Sequence, residues 1–313
     1  MQVNFFSNSQ ILQIWHILNI NILIILIMLS DASNWSGGER NQKVVSRIKI
    51  QTAILKAIHD FLEEQQFSQI LPHTLPNLTQ QIVNLDNHEQ SDHLNSGHQE
   101  SDSMVISHQM LIGNLEMDKI YSISSATSSS YHPAHLDLEF SNIDFDNVTM
   151  FLERLLRRIK IDLETKASDS LRDLQSINDV WNGTFPVLSS HDIELEFGDD
   201  WQSEATSELN LPFFVTCVTP KFYDSLDKER NGNHYLNFEL YIPHQPKPIV
   251  RGGQREYVYG NLINQMKMLN INRFYYSNYL IYTSNGGLRP TSGASVNLDN
   301  LISSFIGNLS SLS

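Results

Sequence analysis

Apolar residues recur at helical spacing through residues 44–67, VVSRIKIQTAILKAIHDFLEEQQF, where Ile48, Ile54, Leu55, Ile58 and Leu62 share one stripe. The run continues into FSQILPHTLP, a short extended piece closed by prolines. Residues 84–103 hold few hydrophobic positions and predict a mobile loop. Structure resumes at SMVISHQMLIGN, and alternation with aromatic content predicts strands in DKIYSISS and HLDLEFSNIDF. NVTMFLERLLRRIKIDL (147–163) reads as an amphipathic helix whose polar side, with Arg154, Arg157, Arg158 and Lys160, is a solvated face. Strands are expected in PFFVTCV (212–218), YLNFELYIP (235–243) and KPIVRGG, then a helix in EYVYGNLINQMKMLNI. ASVNLDNLISSFIGNL reads as a last strand-to-helix unit, and no segment repeats. Strands in hairpin-like runs, without regular strand–helix alternation, predict an α+β fold: an antiparallel sheet flanked by helices.

The N-terminus stands apart. Residues 11–29, ILQIWHILNINILIILIML, form an apolar run interrupted by Gln13, His16, Asn19 and Asn21. It reads as a signal or membrane anchor, or as sequence upstream of the true start. No Lys or Arg precedes it, so the charged flank of a signal peptide is missing. Residues 30–42 are polar and read as a linker. The expected organisation is therefore an apolar segment and linker over 1–43, then one domain over 44–313.

Composition narrows the chemistry. A chain of 313 residues with 41% apolar content can bury a large core. Its net charge of -14 argues against wrapping a nucleic-acid backbone. Cys217 is the only cysteine, which excludes an intrachain disulfide and a cysteine-based zinc site and suggests a reducing, cytoplasmic home. His88, His93 and His98 recur every five residues, but in a predicted loop they promise no convergent geometry, so no metal site is expected. In IVRGGQREYVYGNL (249–262), Gly252-Gly253 reads as a turn between strands. Arg255 and Glu256 either meet a ligand or decorate a helix start.

Over residues 44–308 the order VISHQML, DKIYSI, HLDLEF, PFFVT, ELYIP, GGQRE and YL…G…P…G resembles the catalytic domain of class II aminoacyl-tRNA synthetases, in the asparaginyl/aspartyl branch with its related stand-alone asparagine synthetases. The resemblance implies that 44–76 is motif 1, the dimer element, with Pro72 near its signature proline, so a homodimer is expected. It implies that Gln109 meets an amino-acid substrate, that Ile120 to Phe140 is motif 2, that 288–305 is motif 3, and that GGQRE lies beside the ATP site. ATP-binding positions retained in type are His135, Phe140, Glu239, Arg255 and Glu256, with Glu139 also matching. Structural roles remain open for them: Phe140 in the core, Glu239 pairing with Arg255, Gln109 capping a helix.

Other positions depart from the pattern. The motif 2 arginine that meets the α-phosphate falls on Ser128 and its adenine-reading glutamate on Ser130. The motif 3 arginine that stacks on adenine falls on Asn300, beside Asp299. The metal-binding glutamate falls on Pro248, and the side-chain-reading arginine on Thr283. One phosphate-directed group of this kind is worth about 3–4 kcal/mol in catalysis, so loss of several predicts that standard adenylation is gone. The family's anticodon-binding barrel has no counterpart in residues 1–43, so tRNA is not an expected partner. Two readings result: a non-catalytic, dimeric paralogue that keeps a pocket for an amino-acid-like ligand, or a stand-alone ATP-dependent ligase in which Arg251, Arg255 or Arg289 replaces the lost cations. ATP and magnesium are cofactors only in the second. Membrane association through 11–29 is a minor alternative to either.

Overall fold

The computed structural model describes residues 38–71, 96–115, 117–124, 134–174, 181–227 and 234–306. The apolar run 11–29, Pro72, His88, His93, Ser128 and Ser130 lie outside them.

The first helix, α1 (Gly38–Glu64), begins inside the stretch read as linker. GERNQK holds no proline and places its glycine at the helix's first residue, so once the apolar stripe nucleates a helix, extension through Glu, Arg, Gln and Lys costs little. A short strand β1 (Ser68–Ile70) follows, then helix α2 (Ser96–Leu115). Residues 96–103, expected in a mobile loop, are the first turns of α2, including His98. The hydrophobic count reads them as loop, but they extend the apolar helix Val105–Ile112 at its N-terminal end. The predicted strands then appear as β2 (Lys119–Ser124) and β3 (His135–Ser141), and the amphipathic helix as α3 (Phe145–Lys166). Asp144 caps α3, its side chain accepting from the Asn147 amide. Its basic cluster, read as a solvated face, is only partly so: Arg157 bonds Glu153, Lys160 is 14% exposed beside Glu164, and Arg158 ties the helix to Glu64 of α1 as well as to Asp162.

After α3 the chain folds into small elements: α4 (Ser168–Asp173), β4 (Val187–Ser189), α5 (Ser190–Phe197) and α6 (Trp201–Glu208). Then come β5 (Phe213–Thr216), β6 (Asn237–Ile242), β7 (Gln245–Gln254), α7 (Tyr259–Met268), a 3-10 turn (Arg273–Tyr276), α8 (Ser277–Ser284), β8 (Thr291–Asn297) and α9 (Leu298–Ile306).

The strands form one eight-stranded sheet in the order β1-β2-β3-β8-β7-β6-β5-β4. Its six central strands are antiparallel, as expected, while β1 joins β2 and β4 joins β5 in parallel at the two edges. One face carries Leu136, Leu138, Phe140, Leu240, Val250 and Val296, and packs on α1, α3 and α9. The α1 residues Ile50, Ile54, Ile58 and Leu62 are fully buried in this core, so the chain itself covers this apolar face of α1. Trp181 stacks on Phe305 of α9, with ring centres 4.7 Å apart. A second cluster, with Ile106, Leu262, Met266, Phe222 and Tyr279, joins α2, α7 and α8. Among the described residues no helix is long and apolar enough to cross a membrane.

Candidate functional site

Strand alternation sends every second residue to the face opposite the core. In HLDLEF that rule puts Leu136, Leu138 and Phe140 into the core and His135, Asp137 and Glu139 on the polar side. The pairing of β3, β8, β7 and β6 aligns Asp137, Ser295, Arg251 and Glu239 into a row across the sheet. The neighbouring row runs Glu139, Gly293, Gly253 and Asn237.

The two glycines of GGQRE are not a turn. Both lie within β7, where a side chain has no room. A Cβ on Gly252 would meet the Phe238 ring at 2.5 Å, and one on Gly253 the Leu236 carbonyl at 2.6 Å. Gly293 on β8 answers the same need: a Cβ there would lie 2.0 Å from Glu139 Oε2 and 2.4 Å from the Leu138 carbonyl. The Glu139 carboxylate therefore rests directly over the backbone of β8.

Arg255 follows β7 and turns onto that carboxylate. Its Nε lies 3.4 Å from both Glu139 oxygens, and Nη1 lies 3.8 Å from Asp224 Oδ1. The Tyr223 ring lies under the guanidinium, 5.5 Å from its centre. The side chains of Arg255, Glu139 and Asp224 are 4%, 1% and 2% exposed. Thr291 completes the cluster, donating to Glu139 Oε1 at 2.7 Å. Burial pushes the carboxyls of Glu139 and Asp224 above the usual range, and the nearby Arg255 only partly offsets it. Burial raises Asp137 as well, against its hydrogen bond with Ser295 and the charges of His135 and Arg255. Two carboxyls, those of Glu139 and Asp224, thus close on one buried guanidinium.

Glu256 turns the other way. It accepts from the amides of Tyr257 and Val258 and from Asn261 Nδ2, at 3.0, 2.9 and 2.9 Å, and so caps the start of α7. Of the pair Arg255-Glu256, the glutamate decorates the helix and the arginine enters the site.

The other expected residues scatter. His135 stands beside the cluster, its Nδ1 3.3 Å from Ser295 Oγ. Phe140 is not at the site: its ring points into the core, edge-on to Phe67 and Phe151 at 5.0 and 4.9 Å. Glu239 does not pair with Arg255. It pairs with Arg251 at 2.8 Å, because Arg251 is its cross-strand partner. Gln109 caps no helix end. It lies within α2, fully buried, with Oε1 accepting from the Tyr279 hydroxyl at 3.0 Å and Nε2 without a partner. Thr283 is buried, its hydroxyl donating to the Tyr279 carbonyl. Asn300 lies in the first turn of α9, its amide held by Asn297 Oδ1. Arg289 donates to the Gly113 carbonyl at 3.4 Å. Motif matching missed Asp137, Asp224, Ser295 and Thr291. Alternation along HLDLEF would have found Asp137, but the others take part only through long-range pairing.

Two cavities open on this polar side. The smaller, about 180 Å³, is lined by His135, Tyr223, Asp224, Arg255, Ser295 and Asn297. The larger, about 960 Å³, lies between α5–α6 and β6–β7 and is lined by Glu194, Trp201, Cys217, Glu239, Tyr241 and Lys247 among others. Arg251 and Pro248 line both. Among the described residues no group of three His, Cys, Asp or Glu is placed to hold a metal. His108 lies buried beneath this face against Ser122, and burial with the charge of Arg255 lowers its pKa to about 4, so it is neutral near pH 7.

No protein-family model matches the chain. It is 24% identical over 294 residues to the aspartate–tRNA(Asp/Asn) ligase of Methanopyrus kandleri, a match covering 86% of this chain and 66% of that protein. It is 26% identical over 187 residues to the asparagine–tRNA ligase of Thermoplasma acidophilum, covering 53% of this chain and 43% of that one. Among solved structures, asparaginyl-tRNA synthetase from Pyrococcus horikoshii superposes with a TM-score of 0.68 at 20% identity, over 84% of this chain and 64% of that one. Aspartyl tRNA synthetase from Entamoeba histolytica superposes at 0.65 and 15% identity, over 85% and 56%. The chain has the fold of the class II aminoacyl-tRNA synthetase catalytic domain, and its sequence relatives are ligases of the asparaginyl/aspartyl branch. It spans about two thirds or less of the length of these relatives.

Proposed function

We propose that this chain is a synthetase-fold protein of asparaginyl/aspartyl type that no longer activates an amino acid with ATP, and that it keeps the fold as a binding or scaffold module. The observation that carries this reading is the state of Arg255. It is the cation among the retained ATP-site positions, and Glu139 and Asp224 close on it in the buried cluster. A triphosphate approaching there meets carboxyl groups around a guanidinium already neutralised.

The residues present do not fit ATP with magnesium. The small cavity, about 180 Å³, falls below the roughly 300–1,000 Å³ of ordinary ligand sites. In the large one, Pro248 offers no side-chain oxygen and both Glu239 oxygens are engaged, by Arg251 and by the Tyr241 hydroxyl. Asn300 supplies no guanidinium to stack on adenine. The net charge of -14 works in the same direction against tRNA. An amino-acid-like ligand remains the proposed occupant of the large cavity, whose lining does not include the fully buried Gln109 and Tyr279, and a cytoplasmic location is part of the same reading.

Calorimetric titration with ATP–magnesium, and pyrophosphate exchange in the presence of aspartate or asparagine, test this. Expected is no binding tighter than about 1 mM, roughly 4 kcal/mol, and no exchange. A micromolar dissociation constant, or label entering ATP, would establish the ligase instead, with Arg251 or Arg289 as the substitute cation.

A further inference from the structure

The large cavity draws its charged lining from two sides. On the helical side stand Glu194 of α5 and Asp200, which directly precedes α6. That stretch, 190–208, holds seven Asp and Glu and no Lys or Arg. On the strand side Lys247 lies between Pro246 and Pro248, which favour an extended backbone there. The other charges of the lining, Arg251 and Glu239, neutralise each other at 2.8 Å. Among the described residues Glu194, Asp200 and Lys247 form no ion pair, and the Asp200 carboxylate meets a hydroxyl, Ser203 Oγ, at 3.2 Å. The remaining lining is aromatic and apolar: Trp201 stands edge-on to Tyr241 with ring centres 5.1 Å apart, joined by Val218, Met268 and Leu269.

Uncompensated charges of opposite sign on two sides of one cavity suit a ligand that carries both signs. An ammonium group on the helical side gains two carboxylates, and aromatic neighbours favour a cation as well. A carboxylate on the strand side gains Lys247. A free α-amino acid carries both charges on one carbon and cannot serve both sides at once. A peptide separates them by about 3.3–3.6 Å for each residue, and its side chains cover the apolar lining. The volume, about 960 Å³, lies near the top of the roughly 300–1,000 Å³ of ordinary ligand sites, more than one amino acid fills.

We propose that the large cavity binds a short peptide with free termini, about two to four residues long, its ammonium group at Glu194 and Asp200 and its carboxylate at Lys247. This rests on the reading above of an amino-acid-like occupant and names its class.

Cys217 lines the same cavity, is partly exposed and is the only thiol of the chain, so its rate of reaction with an aromatic disulfide reagent reads occupancy. The test adds a randomised, cysteine-free tripeptide mixture with free, N-acetylated or C-amidated termini, and separately a mixture of free amino acids. Thermal unfolding is followed in parallel without the reagent, since a ligand specific for the folded state raises the midpoint. The mixture with free termini should slow modification of Cys217 and raise the midpoint, at concentrations at least about tenfold below those the blocked peptides or the amino acids require. Glu194→Gln combined with Asp200→Asn should erase the preference over acetylated peptides, and Lys247→Met the preference over amidated ones. All three side chains are exposed, so these variants should fold as the wild type does. Free peptides that change neither readout overturn the proposal, as do amino acids or blocked peptides that act equally well, or variants that keep both preferences. If the thiol is inert throughout, the midpoint alone decides. Neither readout involves ATP or pyrophosphate, so an active ligase would refute the proposed function without deciding whether peptides bind. Binding of amino acids alone would overturn the peptide and leave the amino-acid-like occupant standing.

Discussion

Replacing Arg255 by methionine keeps most of the side chain's volume and deletes the charge on which Glu139 and Asp224 close. All three side chains are at most 4% exposed, so bulk solvent does little to compensate the loss of the guanidinium. Breaking a buried pair from one side costs about 3–5 kcal/mol, because the remaining charge is left without compensation. The contacts here are long, 3.4 Å and 3.8 Å, which places the expectation near the lower end. The cost must also depend on pH. Burial already raises the Glu139 and Asp224 carboxyls against the opposing pull of Arg255, and without that pull they rise further. A carboxyl raised in the folded state contributes stability that is present below its unfolded value, near pH 4, and lost as pH climbs through the folded value. The variant should therefore lose less stability at pH 5 than at pH 8, with about 1.4 kcal/mol of difference for each unit of further rise. Urea unfolding of both proteins at the two pH values measures this directly. A loss below about 1 kcal/mol at pH 8, or a larger loss at pH 5 than at pH 8, would refute the account of the cluster.

Two further outcomes follow from the same geometry. Gly293→Ala should destabilise by about 1–3 kcal/mol, since the new Cβ meets the Leu138 backbone carbonyl at 2.4 Å and overpacking has no easy relief; an unchanged thermal midpoint would show that β3 and β8 can separate freely. Dimerisation through 44–76, which we propose, has to use the sheet edge at β1, because the apolar stripe of α1 is already buried and β1 is the terminal strand. Sedimentation at micromolar concentration should give the mass of two chains, and a strict monomer would remove the proposal.

Much of the architecture was legible along the chain, for a local reason. A period of two or of 3.6 residues states which side chains share a face, and this requires no knowledge of neighbours. The stripe of α1, the amphipathic α3 and the alternation in HLDLEF were therefore readable, and with them the sheet flanked by helices. The ordered fragments carried the family likeness that the fold bears out. What alternation could not supply was the identity of partners. Arg255 and Glu139 are 116 residues apart, and only the placement of β3 beside β8 and of β8 beside β7 brings them together. The same pairing gave Glu239 to Arg251, turned Gly252-Gly253 from an apparent loop into strand interior, and sent Phe140 into the core. The strand β1 fell within the extended piece read at FSQIL, while β4 and the parallel pairing of both edges were hidden, because three residues are too few to show a period. The polar helices α5 and α6 were hidden because each buries so little that composition resembles loop: Ile193 alone in α5, and Trp201, Ala205 and Thr206 in α6. Faces are a property of the local sequence; which charge meets which is decided by strand order, a long-range property that only the folded chain possesses.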